Sequence, residues 1–188
     1  MTLLVPLGTY TVKLSVDGQE FSQPLMVVRD PNAGGSDEDI QRQTAMLLEL
    51  RKDLETAGDM VNQIETIRAQ IENLRGMLRG NADLRTAADD LDRKLTDIED
   101  NLIQRRFTGQ GQDTTRYPPK LISKVNYLAG GVNSGDFPPN TQQKEVQAMF
   151  ESQLSSLRKR LDEVVTTDVA NFNRMLREKN IGNVIAGQ

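Results

Sequence analysis

The chain reads as a mainly α protein: an elongated antiparallel helical bundle of two long helices and an interrupted middle helix, preceded by a β-hairpin. Three observations predict this. Apolar residues recur three and four apart over two long segments, the signature of a helix with one buried face. They alternate strictly with polar residues only before residue 30, where a strand pattern is expected. Aromatic residues make up 4% of the 188 positions and Trp is absent, so the core must be built from Leu, Ile, Val, Met and Ala, a composition that suits helix packing better than a sandwich.

The hairpin is expected over residues 4–28. Tyr10, Val12, Leu14 and Val16 alternate with Thr11, Lys13 and Ser15, and Asp17-Gly18 is a strong two-residue turn signal before a second strand over 21–28. Pro24 inside that strand predicts an edge position or a bulge, because proline donates no ladder hydrogen bond. Two strands alone are marginal in water and leave unpaired backbone edges. The hairpin is therefore expected to pack on the bundle through Tyr10, Val12, Leu14 and Phe21, or to pair with strands of another copy, and these four are the candidate interaction residues.

"PNAGG" marks a linker over 31–36, and Ser36 with Asp39 forms a capping-box-like start. The first long helix follows, with Ile40, Leu47, Leu50, Leu54, Ala57, Val61, Ile64, Ile67, Ile71, Leu74 and Leu78 on one stripe. The consecutive three-residue steps into Ile67 are a stammer in the seam. Arg79, Gly80 and Asn81 end this helix and cap the next, whose stripe is Leu84, Ala88, Leu91, Leu95, Ile98 and Leu102, ending near Arg106. On its wet side Asp89 with Arg93 and Asp90 with Lys94 are spaced as i,i+4 ion pairs.

A loop over 107–119 leads to a short third helix using Leu121, Val125 and Leu128, stopped at Gly130 and Gly131. After the turn "NSGDFPPN", Asn140 and Gln143 repeat the capping-box spacing, and a long last helix carries Val146, Phe150, Leu154, Leu157, Leu161, Val164, Phe172 and Leu176. The first and last helices, each roughly 40 residues, would be about 60 Å long, and the two middle helices together are nearly as long, so they can line one return path; a compact four-helix bundle is the alternative. The resulting division is hairpin 1–30, linker 31–36, bundle 37–180 and tail 181–188.

Chemistry is sparse in this sequence. There is no His and no Cys, which removes Ser-His-Asp and Cys-His arrangements, disulfides and Zn-thiolate sites. The carboxylate neighbours Asp89 and Asp90, or Asp162 and Glu163, point about 100° apart on a helix and read as solvated faces. "DPNAGGSDEDI" begins like a calcium loop but has Gly34 and Gln41 where oxygen ligands are required. "GQGQ" follows a helix rather than a strand and lacks the Lys of a phosphate cradle, and "RKR" at 158–160 spreads its charge around a helix. No catalytic residue, metal or cofactor is expected, and the chain is read as not an enzyme.

A net charge of −4 and a pI near 5.0 give no general field for nucleic acid or an anionic membrane. No run approaches the ~18 apolar residues of a membrane span, and "MTLLVPLGTY" has neither the basic nor the apolar part of an export signal. The absence of cysteine fits cytosolic and exported proteins equally.

The segments "PLGTYTVKLSVDG", "QPLMVVRDPN", "IRAQIENLRGML", "YPPKLISKVNYLAGGVNSGD" and "DVANFNRMLREKNI" together resemble the C-terminal region of bacterial sortilin-like β-propeller proteins, which carry sialidase-type (BNR) repeats and are often described as glycosyl hydrolase-like. The resemblance implies an extracytoplasmic location, periplasmic or secreted. It also implies that the hairpin is the closing part of an Ig-like domain whose other strands lie upstream in a longer parent or in another chain. No active-site residue of that family matches a position here. The expected function is a non-catalytic structural or interaction module that positions or oligomerises a propeller, with a protein partner, through self-association or upstream domains. The alternative is an accessory part of a carbohydrate- or peptide-processing enzyme whose ligand meets the loops at 107–119 and 133–140.

Overall fold

The computed structural model describes residues 5–32, 34–109 and 111–186. Leu4, where the hairpin is expected to begin, Ala33 of the linker, Gln110 of the glycine-rich loop and the last two residues of the tail lie outside the described residues. The protein is mainly helical, with an N-terminal two-stranded antiparallel sheet, as the sequence predicts. Its elements are β1 (Gly8–Val16), β2 (Gln19–Val27), α1 (Asp37–Leu74), a 3-10 turn (Met77–Gly80), α2 (Ala82–Leu102), α3 (Asp113–Arg116), α4 (Leu121–Val132), α5 (Thr141–Glu163), a π turn (Val164–Val169) and α6 (Ala170–Glu178).

Two compact units divide the chain, and their limits differ from the sequence division at 30/31. One holds residues 1–52 and 126–147, so the hairpin clusters with the ends of helices; the other holds 53–125 and 148–188.

In the first unit the hairpin closes through Asp17 (φ 49°) and Gly18 (φ 80°), both left-handed, which is the two-residue turn that matches strand twist. The register from Gly8 opposite Val27 to Val16 opposite Gln19 is unbroken, so Pro24 needs no bulge. It lies opposite Thr11 at a position whose N–H would point away from β1, and the missing donor falls on the outer edge. The helical part starts at the expected capping box: Asp39 N–H donates to Ser36 Oγ (3.2 Å) and Ser36 N–H to Asp39 Oδ2 (3.1 Å). Accepting the Ser36 N–H holds the Asp39 carboxyl below its ordinary pKa. The Asn140 and Gln143 box is equally reciprocal, at 2.8 and 3.0 Å.

Met46, Leu47 and Leu50 of α1 are buried in this unit, as are Leu128, Ala129 and Val132 of α4. Gln43 is buried among the apolar positions, its Nε2 donating to the carbonyls of Val132 (2.7 Å) and Gly135, and Gln147 Nε2 donates to Glu49 Oε2 (2.7 Å). Gly35 is buried where a Cβ would run into the carbonyl oxygen of Asp136. Gly35→Ala should therefore cost about 1–3 kcal/mol as an overpacking change. Gly34→Ala, whose Cβ would make an ordinary 3.4 Å contact with the Phe137 ring, is the control expected to leave the melting temperature nearly unchanged.

In the second unit most of the expected stripe positions are buried, but Leu54 and Leu74 are half-buried and Met60, outside the expected stripe, is fully buried. Ile64, Ile67 and Ile71 are fully buried, so the stammer residues all face the seam. Arg75 pairs with Asp89 (2.6 Å), and Arg68 pairs with Asp92 (2.8 Å) and Glu99 (2.6 Å), so α1 and α2 run antiparallel. Leu91 and Phe172 line one groove and Ile98 and Val164 another, with Lys94 paired to Asp168 (2.8 Å), so the last helical run is antiparallel to α2 as well.

Several expectations are corrected here. The first helix ends at Leu74 rather than continuing through Leu78; a turn tightens at Arg75, whose N–H donates to Glu72 O, and the 3-10 turn delivers Leu78 to the core. Neither i,i+4 pair forms: Asp89 meets Arg75, Asp90 meets Arg93 three residues on, and Lys94 crosses to Asp168. Tertiary partners at good geometry outcompete exposed local pairs worth only a few tenths of a kcal/mol. α2 stops at Leu102 because Ile103 is extended (φ −128°, ψ 154°). The 107–119 loop contains the single turn α3, fixed by Asp113 accepting the N–H groups of Thr108 (2.6 Å) and Gly109 (2.9 Å).

Glu99 is the buried charge of this unit, with its side chain 1% exposed. Burial pushes its carboxyl above the ordinary value, and Arg68 and Arg105 pull it part of the way back. Removing the 2.6 Å partner by Arg68→Ala should cost about 3–5 kcal/mol at neutral pH. With the folded pKa of Glu99 raised further, the folded state holds its proton where the unfolded state has lost it, so stability falls as pH rises between the two values. Denaturant melts should show Arg68→Ala recovering part of its deficit on acidification. Asp92, the other acid on Arg68, is part-exposed and rehydrates when the guanidinium is removed.

Candidate functional site

The four residues singled out in the sequence lie on one face of the hairpin. With strict alternation, Tyr10, Val12, Leu14 and Val16 of β1 share that face with Phe21 and Leu25 of β2, Leu14 standing opposite Phe21 and Tyr10 opposite Leu25. Lys13 and Glu20 pair across the other face (3.0 Å), together with Thr9, Thr11, Ser15 and Ser22. The face of Tyr10 and Phe21 bears no charged side chain, though Gln23 stands opposite Val12 and Gln19 opposite Val16.

This face is uncovered. Leu14 is 58% and Phe21 55% exposed, and Val12, Val16 and Leu25 are exposed to a similar degree. Tyr10 is half-buried, its hydroxyl donating to the Pro6 carbonyl (2.6 Å). Of the two routes expected for this face, packing on the helices or pairing with another copy, the first is not seen for Val12, Leu14 and Phe21, whose side chains face solvent.

At the hairpin base a cavity of about 250 Å³ is lined by Val5, Leu7, Val27 and Val28 of the hairpin ends, by Ile40, Gln43, Thr44 and Leu47 of α1, and by Asn133 and Asp136. Arg29 fixes the linker there, donating to Gly35 O (2.8 Å) and pairing with Asp37 (3.2 Å). Asp30, which opens the calcium-loop-like segment, uses Oδ1 to accept the N–H of Asn32 (2.8 Å), an Asx turn within the linker. Among the described residues no group of three His, Cys, Asp or Glu is arranged to hold a metal ion, and no helix is long and apolar enough to cross a membrane.

Of the two loops expected to meet a ligand in the alternative reading, 133–140 contributes Asn133 and Asp136 to this cavity, while 107–119 belongs to the other unit. Gln43 is the lining residue that the sequence did not announce. Its one signal is the seven-residue step from Ile40 to Leu47, which leaves an apolar position unfilled where the amide sits. Comparison with protein families, curated proteins and solved structures found no match to this chain.

Proposed function

We propose that the chain is a non-catalytic structural and interaction module, in which the helices form a scaffold and the hairpin presents a docking face to protein. The observation that carries this reading is the uncharged apolar face of Val12, Leu14, Val16, Phe21 and Leu25, left about half exposed. Burying such a face against another sheet is favourable at roughly 25 cal/mol per Å² of apolar surface, whereas solvent leaves a lone hairpin marginal. The fitting partner is an equally uncharged sheet face, and a second copy supplies one without like-charge contact because Lys13 and Glu20 lie on the opposite side. Edge pairing is a weaker route for β2, whose outer edge is interrupted at Pro24. In the setting implied by the sortilin-like resemblance, the module positions or oligomerises an exported β-propeller and the docking face meets the rest of an Ig-like domain.

Light scattering over a range of concentrations tests this on the whole chain. The unmodified chain should show a concentration-dependent dimer, and the double substitution Leu14→Lys with Phe21→Lys should be monomeric with unchanged helical circular dichroism. Identical monomers in both cases would sink self-association and direct the search to a sheet from another domain.

A further inference from the structure

We propose that Gln70 and Asn173 form a binding site for an extended peptide segment, filled in cis by residues 183–186 of this chain. Asn173 reads both backbone groups of one residue: its Nδ2 donates to Val184 O (2.8 Å) and its Oδ1 accepts the Val184 N–H (2.7 Å). Gln70 does the same for the next residue, with Nε2 donating to Ile185 O (2.7 Å) and Oε1 accepting the Ile185 N–H (2.8 Å). A side-chain amide carries one donor pair and one acceptor, the complement of the backbone groups of one extended residue. Successive residues of an extended chain turn these groups to opposite sides, which is why one clamp comes from α6 and the other from α1.

The side chains alternate in the same way. Val184 is 3% exposed and enters the core, while Ile185 is 71% exposed. The segment reaches the clamps because Asn180 (φ 57°) turns the chain just after α6, with Ile181 N–H returning to Leu176 O (3.0 Å), a stop that reverses the chain. Gln70 Nε2 also donates to Thr66 O (3.0 Å) on its own helix, which fixes the amide before any peptide arrives. The ligand class follows from the contacts: an extended peptide with an aliphatic side chain at the buried position and any residue after it.

Two measurements on the full chain test the proposal. In unmodified protein, the amides of Val184 and Ile185 should exchange hydrogen at least about 100-fold faster than that of Ile67, through an opening that denaturant barely accelerates, as expected of a segment that detaches separately. Exchange only with global unfolding would overturn the proposal. In the second measurement, Val184→Asp ejects the segment, and a fluorescent peptide "NIGNVIAGQ" should then bind one to one. Unmodified chain should bind it at least about tenfold more weakly, because the tethered segment competes at high effective concentration. Adding Asn173→Ala to Val184→Asp should remove the binding, as should Val→Asp in the peptide. Failure of the peptide to bind the Val184→Asp chain, or loss of that chain's helical signal, would make the segment an integral part of the fold and overturn the site.

Discussion

Replacing Ile67 with Asp should abolish cooperative folding of the second unit at neutral pH or lower its melting temperature by roughly 10–20 °C, as about 5 kcal/mol does in a chain of this size. Ile67 is fully buried, as are Ile64 and Ile71 on its own stripe, and the antiparallel α2 buries Leu91, Leu95 and Ile98. The substitution removes the transfer energy of a large aliphatic group, about 2–5 kcal/mol when the site cannot collapse, and leaves an unpaired carboxylate that costs several kcal/mol more. Arg68 does not rescue it, since adjacent helical positions diverge by about 100° and its guanidinium is engaged by Asp92 and Glu99. Against total stabilities of about 5–15 kcal/mol, that loss is decisive. A thermal melt within a degree or two of the unmodified chain would place Ile67 outside the core.

The features that the sequence declared are those whose cause is local. The boxes Ser36 with Asp39 and Asn140 with Gln143 satisfy their own helix ends, so three residues of spacing are enough to find them. The turn at Asp17-Gly18 needs left-handed backbone, and the sequence offers residues that tolerate it. The helical stripes are legible for a related reason, because one buried face repeats with the helix itself.

What stayed hidden depends on distant groups. Nothing in the spacing of Lys94 favours Asp168 over Asp90, and polar residues such as Gln43, Gln70 and Asn173 leave no periodic trace although each reaches across to another segment. The hairpin is intermediate. Alternation identified the face of Tyr10, Val12, Leu14 and Phe21, but a pattern states that a face is apolar and not what covers it.

Deleting a single residue from the last helical run should have opposite outcomes at two places. From Phe150 the buried stripe runs Leu154, Leu157, Leu161 and Val164 in steps of four and three, then steps five residues to Val169 before Phe172 and Leu176 resume it. That extra residue is accommodated by the π turn Val164–Val169, and the same insertion explains why the sequence stripe skips from Val164 to Phe172. Removing exposed Thr166 leaves three residues between the flanking valines, a step of four, so an uninterrupted α-helix can return every later core residue to its face. The variant should keep its helical circular dichroism and melt within a few degrees of the unmodified chain, a change of about 1 kcal/mol. Removing exposed Ser156 instead rotates everything after it by about 100° relative to α2, taking Leu157, Leu161 and Val164 off the seam and retaining the extra residue at the π turn. Each buried aliphatic so displaced costs about 1.5–3 kcal/mol, and three or more exceed the stability available. Cooperative unfolding should be lost for the Ser156 deletion; equal destabilisation by the two deletions would mean that the π turn is a requirement of the packing rather than the accommodation of one surplus residue.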